Sequence, residues 1–230
     1  MIAVTNRILQ SLPVRDRVRI LRRLEPVELA FGKVLYEPGK TIRHVYFPLD
    51  CLVSLLTAVD RGRSLEVGMV GSEGMAGMPF ILGVGVSGVR AIVQGAGSAM
   101  RMSAAAFRKE FDRTPALQQA LYRYTYALMA QISQTAACNR FHDTSQRLAR
   151  WLLMTRDRVG TDEFALTQEF LAHMLGLRRA GVTEAANSLR DRHLIEYSRG
   201  KLKVRDVAGL ARASCCCYPM VNAVFKRAQG

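Results

Sequence analysis

Between residues 166 and 205, two short amphipathic runs meet at a glycine and are followed at once by two alternating apolar strands. Few compact arrangements satisfy that order. Thr167 precedes Gln168 and Glu169, the pattern of a helix N-cap with an acidic first turn. Phe170, Leu171, Met174 and Leu175 fall on one helical face, which predicts a helix from Thr167 to Leu175. Gly176 suits the left-handed turn that only glycine adopts cheaply. Leu177 then plugs the angle. A second helix is expected from Arg178 or Arg179 to about Asp191, with Val182, Ala185, Ala186 and Leu189 inside. Two helices joined by a short glycine turn make a helix-turn-helix. Leu194-Ile195-Glu196-Tyr197 and Lys201-Leu202-Lys203-Val204 alternate around Ser198-Arg199-Gly200, which predicts a β-hairpin, or wing, with Arg199 and Lys201 at its tip. Basic tips of this kind contact phosphate and position a protein on DNA without reading its sequence. The plainer alternative is an all-α hairpin with a solvated basic face, and the ordered succession of elements weighs against it.

The formal net charge of +14 favours a polyanionic partner, either nucleic acid or an acidic membrane surface. Hydrophobic content of 49% with 23% charged residues is ordinary for a globular chain. The longest nearly apolar stretch, Met75 to Val86, falls well short of the roughly 20 residues that span a bilayer. Arg7, Arg15, Arg17, Arg19, Arg22 and Arg23 interrupt any secretory apolar region, so a cytoplasmic address and reduced cysteines are expected.

Upstream, Ile8, Leu9, Leu12, Val18, Ile20, Leu21 and Leu24 give an amphipathic helical pattern broken near Pro13. From Phe31 the period changes. Val34 to Tyr36, Val45 to Phe47, Leu52 to Val59 and Leu65 to Val70 are short β-prone runs, separated by Pro38-Gly39, Pro48, Asp60-Arg61-Gly62 and Gly71. Ala91 to Val93 and Ala99 to Met102 would close a small antiparallel roll. After Pro115 no proline or glycine occurs until past Asn139, which predicts a helix of about 36 Å. Its stripe of Leu117, Leu121, Tyr124, Leu128 and Ile132 is a reasonable dimer seam, or packs onto the β domain; both can hold. Asp143 or Thr144 can cap a further helix through Arg158, with Leu148, Trp151, Leu152 and Val159 inward. The expected class is α+β. A sensor domain occupies residues 1–115, a linker helix 116–139, a DNA-binding domain 140–210 and a tail 211–230.

This succession resembles the Crp/Fnr superfamily of transcription regulators. The resemblance rests on the roll with Pro38-Gly39 and Tyr46-Phe47, the long helix after Pro115, and Leu166-Thr167-Gln168-Glu169 through Gly176-Leu177-Arg178-Arg179 to Leu194-Ile195. It covers about residues 5–210. It implies a cyclic-nucleotide-binding-like β-roll, a homodimer on a near-palindromic double-stranded DNA site, and RNA polymerase as a further partner; two-fold symmetry demands the palindromy. In the family, the Arg two residues after the turn's plug commonly contacts a guanine, and here that is Arg179. The family's next reader is often Glu, and the one five residues on is often Arg. Here those positions hold Ala180, which can at most touch a thymine methyl, and Glu184, which could accept from cytosine. Thr183 and Asn187 are phosphate or base candidates. Arg178, Thr167, Gln168, Arg199 and Lys201 complete the expected DNA-facing set.

The family's roll often holds a cyclic nucleotide through a Gly-Glu pair and an Arg-Ser or Arg-Thr pair. Here the stretch reads Gly71-Ser72-Glu73-Gly74-Met75-Ala76-Gly77, then Ser87-Gly88-Val89-Arg90-Ala91. Ser87 and Gly88 stand where Arg and Ser would lie. Arg90 is three residues out of phase, and an odd shift flips a strand side chain to the other face. Glu73 is displaced as well. Losing the guanidinium that offsets a buried phosphate is costly, so no response to cyclic nucleotide is expected; Glu73, Gly74 and Arg90 are the candidates for any ligand pocket. An iron–sulfur cluster needs four spaced cysteines, and none precedes Cys51. Cys215, Cys216 and Cys217 are contiguous with no histidine nearby in sequence, and Cys51 and Cys138 read as buried apolar residues. His44, His142, His173 and His193 form no ligand pair with one another. No metal or cofactor is expected. Without a Ser/His/Asp set, an HExxH or a phosphate loop, the chain does not read as an enzyme. The alternative class is a small-molecule-binding signalling module acting through protein contacts with degenerate DNA binding; Arg179 and the basic wing weigh against it.

Overall fold

The computed structural model of the protein describes residues 5–59, 64–198 and 200–228. Two short helices open the chain, α1 (Arg7–Gln10) and α2 (Val14–Leu21). The break between them falls at Pro13, whose ring supplies no amide to a helical ladder. Asn6 caps α1, and its buried side-chain amide donates to the carbonyls of Pro48 (3.0 Å) and Gly74 (2.8 Å), fastening this end of the chain to the domain that follows.

Strands β1 (Glu25–Leu29), β2 (Val34–Tyr36), β3 (His44–Pro48), β4 (Leu52–Ala58), β5 (Ser64–Val70), β6 (Arg90–Gly95) and β7 (Gly97–Ser103) form two antiparallel sheets. Their orders are β1-β7-β3 and β2-β6-β4-β5, the roll that the short β-prone runs lead one to expect. Leu29, Val45, Phe47, Leu52, Val53, Val70, Ala91 and Val93 meet in the core, and Tyr36 and Tyr46 are buried with them. The turn expected at Asp60-Arg61-Gly62 lies outside the described residues.

Helix α3 (Ala104–Arg113) leads into α4 (Pro115–Phe141), which spans 27 residues. On α4, Leu117, Leu121, Tyr124 and Leu128 are at most 4% exposed within this single chain, and Ile132 is half-buried against the same core. Of the two readings of this stripe, packing onto the β domain is the one seen within the single chain. Side chains already withdrawn from water have almost no area left to bury against a second copy. The opposite face of α4 carries Tyr122, Tyr126 and Met129, which are 52%, 64% and 57% exposed.

Helix α5 (Thr144–Val159) starts at a capping box in which Asp143 and Gln146 satisfy each other's amides, and stops at Gly160 in the left-handed region. Next come β8 (Glu163–Ala165), α6 (Gln168–Leu175), α7 (Arg179–Asp191), β9 (Ile195–Ser198) and β10 (Lys201–Val204), the strands ordered β8-β10-β9. Beyond the wing, α8 (Val207–Ala213) and α9 (Cys217–Ala228) extend into the segment expected as a tail, and α9 packs along α4. No helix among the described residues is long and apolar enough to cross a membrane.

Candidate nucleic-acid interface

Helix α6 begins where the Thr167 hydroxyl accepts the Phe170 amide at 3.1 Å. It ends at Gly176 with φ 63° and ψ 38°, a conformation that favours glycine, and the Leu177 amide returns to the Ala172 carbonyl at 2.9 Å. The chain then re-enters helix at Arg179. Val182, Ala185, Ala186 and Leu189 turn inward against α5 and α6, which leaves the other face of α7 to solvent. Arg178, Arg179, Ala180 and Glu184 are exposed there, and Asn187 is half-exposed.

These residues differ in what their polar atoms already do. Among the described residues, Arg178, Arg179, Glu184 and Lys201 enter no ion pair. Thr183 is engaged: its hydroxyl stands 2.9 Å from both the Gln168 Oε1 and the Arg179 carbonyl, with one hydrogen to share. The Thr183–Gln168 hydrogen bond therefore ties α7 to the start of α6, while Thr167 caps α6.

In the wing, Lys201 pairs with Ser198, and Gly200 has φ 77°, a value that favours glycine. Lys201 is exposed beside that turn; Arg199 lies outside the described residues. The Tyr197 hydroxyl donates to the Leu166 carbonyl at 3.0 Å, tying the wing to the entry of α6. Arg205 pairs with Glu196 at 2.6 Å and Lys203 with Glu163. These cations hold both carboxyls below the usual carboxylate range.

Residues 146–213, from the first turn of α5 to the end of α8, match the Crp-like helix-turn-helix domain family. That segment of the chain is a Crp-like helix-turn-helix domain. A CRP-like cAMP-activated global transcriptional regulator of Mycobacterium tuberculosis is 24% identical over 200 residues, covering 84% of this chain and 89% of the relative. The fold matches FixK2 from Bradyrhizobium japonicum with a TM-score of 0.71 at 14% identity, over 84% of this chain and 98% of that one. It also matches a CRP/FNR-family transcriptional regulator from Thermus thermophilus with a TM-score of 0.66 at 20% identity, over 83% and 98%. At these identities the structural likeness is one of fold.

The roll departs from the pocket anticipated at Glu73, Gly74 and Arg90. Glu73 Oε1 accepts from Arg158 Nε at 2.8 Å, with both side chains buried, and also takes the Gly71 amide at 3.2 Å. Arg90 faces outward on β6 and pairs with Glu37 at 2.8 Å. The three residues are not brought together around one cavity. Close packing accounts for the glycines instead. A Cβ on Gly74 would lie 2.3 Å from the Tyr124 ring, and one on Gly71 would lie 2.7 Å from Arg158 Cβ. Their bare backbones let α4 and α5 press onto the loop.

A feature not read from the sequence lies where the roll meets the DNA-binding domain. A largely apolar cleft of about 1030 Å³ is lined by Leu52, Leu56, Ile92, Phe164, Phe170 and Met174, with Gln94, Thr155, Glu169 and Arg90 among its polar members. Gln94 belongs to a buried polar chain. Glu66 accepts from Trp151 Nε1 at 2.9 Å and is joined to Ser54 at 2.6 Å, Ser54 contacts Gln94, and Gln94 donates to Thr155 at 3.3 Å. Burial pushes the Glu66 carboxyl up to about 7, against the opposing pull of the Ser54 and Trp151 hydrogen bonds and the Arg150 and Arg158 charges.

Proposed function

We propose that the chain is a sequence-specific transcription regulator that acts as a homodimer, each copy laying α7 in the major groove of one half of a near-palindromic DNA site. The observation that carries this reading is the outer face of α7. Arg178, Arg179, Ala180 and Glu184 stand exposed and Asn187 half-exposed on a helix whose other face is fully packed, and the exposed Lys201 lies on the wing. Arg179 is assigned to a guanine edge, Arg178 and Lys201 to phosphate, and Glu184 to a cytosine amino group. Gln168 and Thr183 act by holding α7 against α6, whose first turn Thr167 caps.

The homodimer is assigned to the outer face of α4. Gln119, Tyr122, Tyr126, Met129 and Ser133 are spaced alternately by three and four residues, the spacing of a coiled-coil seam. RNA polymerase is the partner the family reading brings with it. The Mycobacterium tuberculosis relative is described as cAMP-activated. For this chain we infer no response to cyclic nucleotide, because Glu73 is bound to Arg158 and Arg90 points away from it. Selecting genomic fragments bound by the purified chain, followed by mobility shifts over a range of salt, tests the reading. A shared two-fold symmetric site supports it, and equal binding to all sequences defeats it.

A further inference from the structure

Cysteines far apart in the chain meet at the end of α4. Cys138 lies in the last turn of α4 and His142 is the residue that follows the helix, Cys215 sits in the link between α8 and α9, and Cys217 is the first residue of α9. One ligand atom from each of the four lies within 4.8 Å of every other. The Cys138 and Cys215 sulfurs are 3.5 Å apart, and Cys217 Sγ is 3.5 Å from His142 Nδ1. In a tetrahedral zinc site with Zn–S near 2.3 Å and Zn–N near 2.05 Å, the edges come to roughly 3.8 Å between sulfurs and roughly 3.6 Å between sulfur and nitrogen. All three cysteines are buried, as closed structural sites are.

The surroundings fit a metal site as well. Gln134 Nε2 donates to Cys217 Sγ at 3.1 Å, and Cys216 Sγ stands 3.8 Å from His142 Nε2, so that Nδ1 is the nitrogen turned to the cluster. Two buried guanidiniums, Arg147 and Arg150, lie within electrostatic reach of Cys138. The Nε of each lacks a hydrogen-bond partner, and among the described residues no carboxylate pairs with either. Three thiolates around a divalent cation leave one net negative charge beside these two cations, which offsets their burial.

We propose that Cys138, His142, Cys215 and Cys217 form a tetrahedral site, three sulfurs and one nitrogen, for a thiophilic divalent cation of the zinc class. Such an ion ties α9 to the end of α4, immediately before Asp143 starts the helix that opens the DNA-binding domain. Arg147, beside the cluster, also donates to the Leu175 carbonyl at the end of α6, so the clamp adjoins the helix-turn-helix. Any effect of the clamp on DNA affinity rests on the function proposed above. The site itself does not, and it is measured without DNA.

The test is metal analysis of the full chain purified with zinc, together with the absorption spectrum after loading with Co²⁺. Expected are about one zinc per chain, and intense visible bands of tetrahedral cobalt with sulfur-to-cobalt charge transfer. Cys138→Ser and Cys217→Ser should drop metal content to background, while Cys216→Ser and Cys51→Ser retain it. Because the unaltered chain gives the spectrum, the result does not depend on the variants folding. Absence of both zinc and the cobalt bands overturns the proposal, as does a Cys138–Cys215 disulfide in place of metal.

Discussion

Glu73 in the roll and Arg158 near the end of α5 form a buried ion pair at 2.8 Å that joins the roll to the helix that precedes the helix-turn-helix. The same guanidinium lies 5.4 Å from the Phe225 ring centroid, so α9 caps the pair. Removing one partner strands the other charge in the interior, at a cost of about 3–5 kcal/mol. Glu73→Ala should lose stability on that scale in urea unfolding. Combining Glu73→Ala with Arg158→Met should cost less than the sum of the two single changes. Additive losses would show that the pair is not coupled.

The same pairing sets an expectation for ligands. With the Glu73 carboxylate engaged by Arg158 and Arg90 paired with Glu37, neither side chain is expected to be available to a cyclic nucleotide. Calorimetric titration with cAMP should show no binding heat, and Tm should not rise at saturating nucleotide. A clear Tm rise would mean that Glu73 exchanges partners.

Glu66 gives the fold a pH dependence of known sign. Its carboxyl titrates near 7 in the folded chain against 4.5 as a free group. Between those values the folded chain holds a proton that the unfolded chain has released, so the stability it contributes is full below about pH 4.5 and is lost as pH rises through about 7. The hydrogen bonds agree. The single Ser54 hydrogen faces acceptors on both Glu66 and Gln94, and a protonated Glu66 supplies the missing donor. Glu66→Gln should flatten the decline in stability measured by denaturation from about pH 5 to about pH 8. An unchanged slope would assign it to other groups.

The two faces of α4 make opposite predictions. Tyr126→Glu on the exposed face should weaken self-association by about tenfold or more, roughly 1.4 kcal/mol, in sedimentation at micromolar concentration, with the fold intact. Leu128→Glu on the buried face should unfold the roll. A dimer indifferent to Tyr126→Glu would place the seam elsewhere.

The helix-turn-helix and the roll were legible because their signals are local. Gly176 sits where a left-handed residue is needed, and the strands are punctuated by turn residues. Local pattern could not choose between the faces of α4, since both are partly apolar: Leu121 and Leu128 on one, Tyr122, Tyr126 and Met129 on the other. Strand β1 was hidden by Pro26 and two glutamates, which an edge strand tolerates. Glu73 stood out as a candidate, but its partner Arg158 is 85 residues away. Cys138 read as a buried apolar residue and His142 as unpaired, because their partners Cys215 and Cys217 come within reach only through the packing of α9 along α4.

Arg179 carries the central claim, that the outer face of α7 reads bases. The most direct measurement compares the unaltered chain with Arg179→Ala on the selected operator and on operators altered one base pair at a time, at fixed salt. The expected result is a loss of about 1–3 kcal/mol on the operator, with discrimination relaxed at one position in each half-site. A uniform loss on every sequence, with the salt slope reduced by about one, would make Arg179 a phosphate contact. No loss at all would take this face of α7 out of the interface.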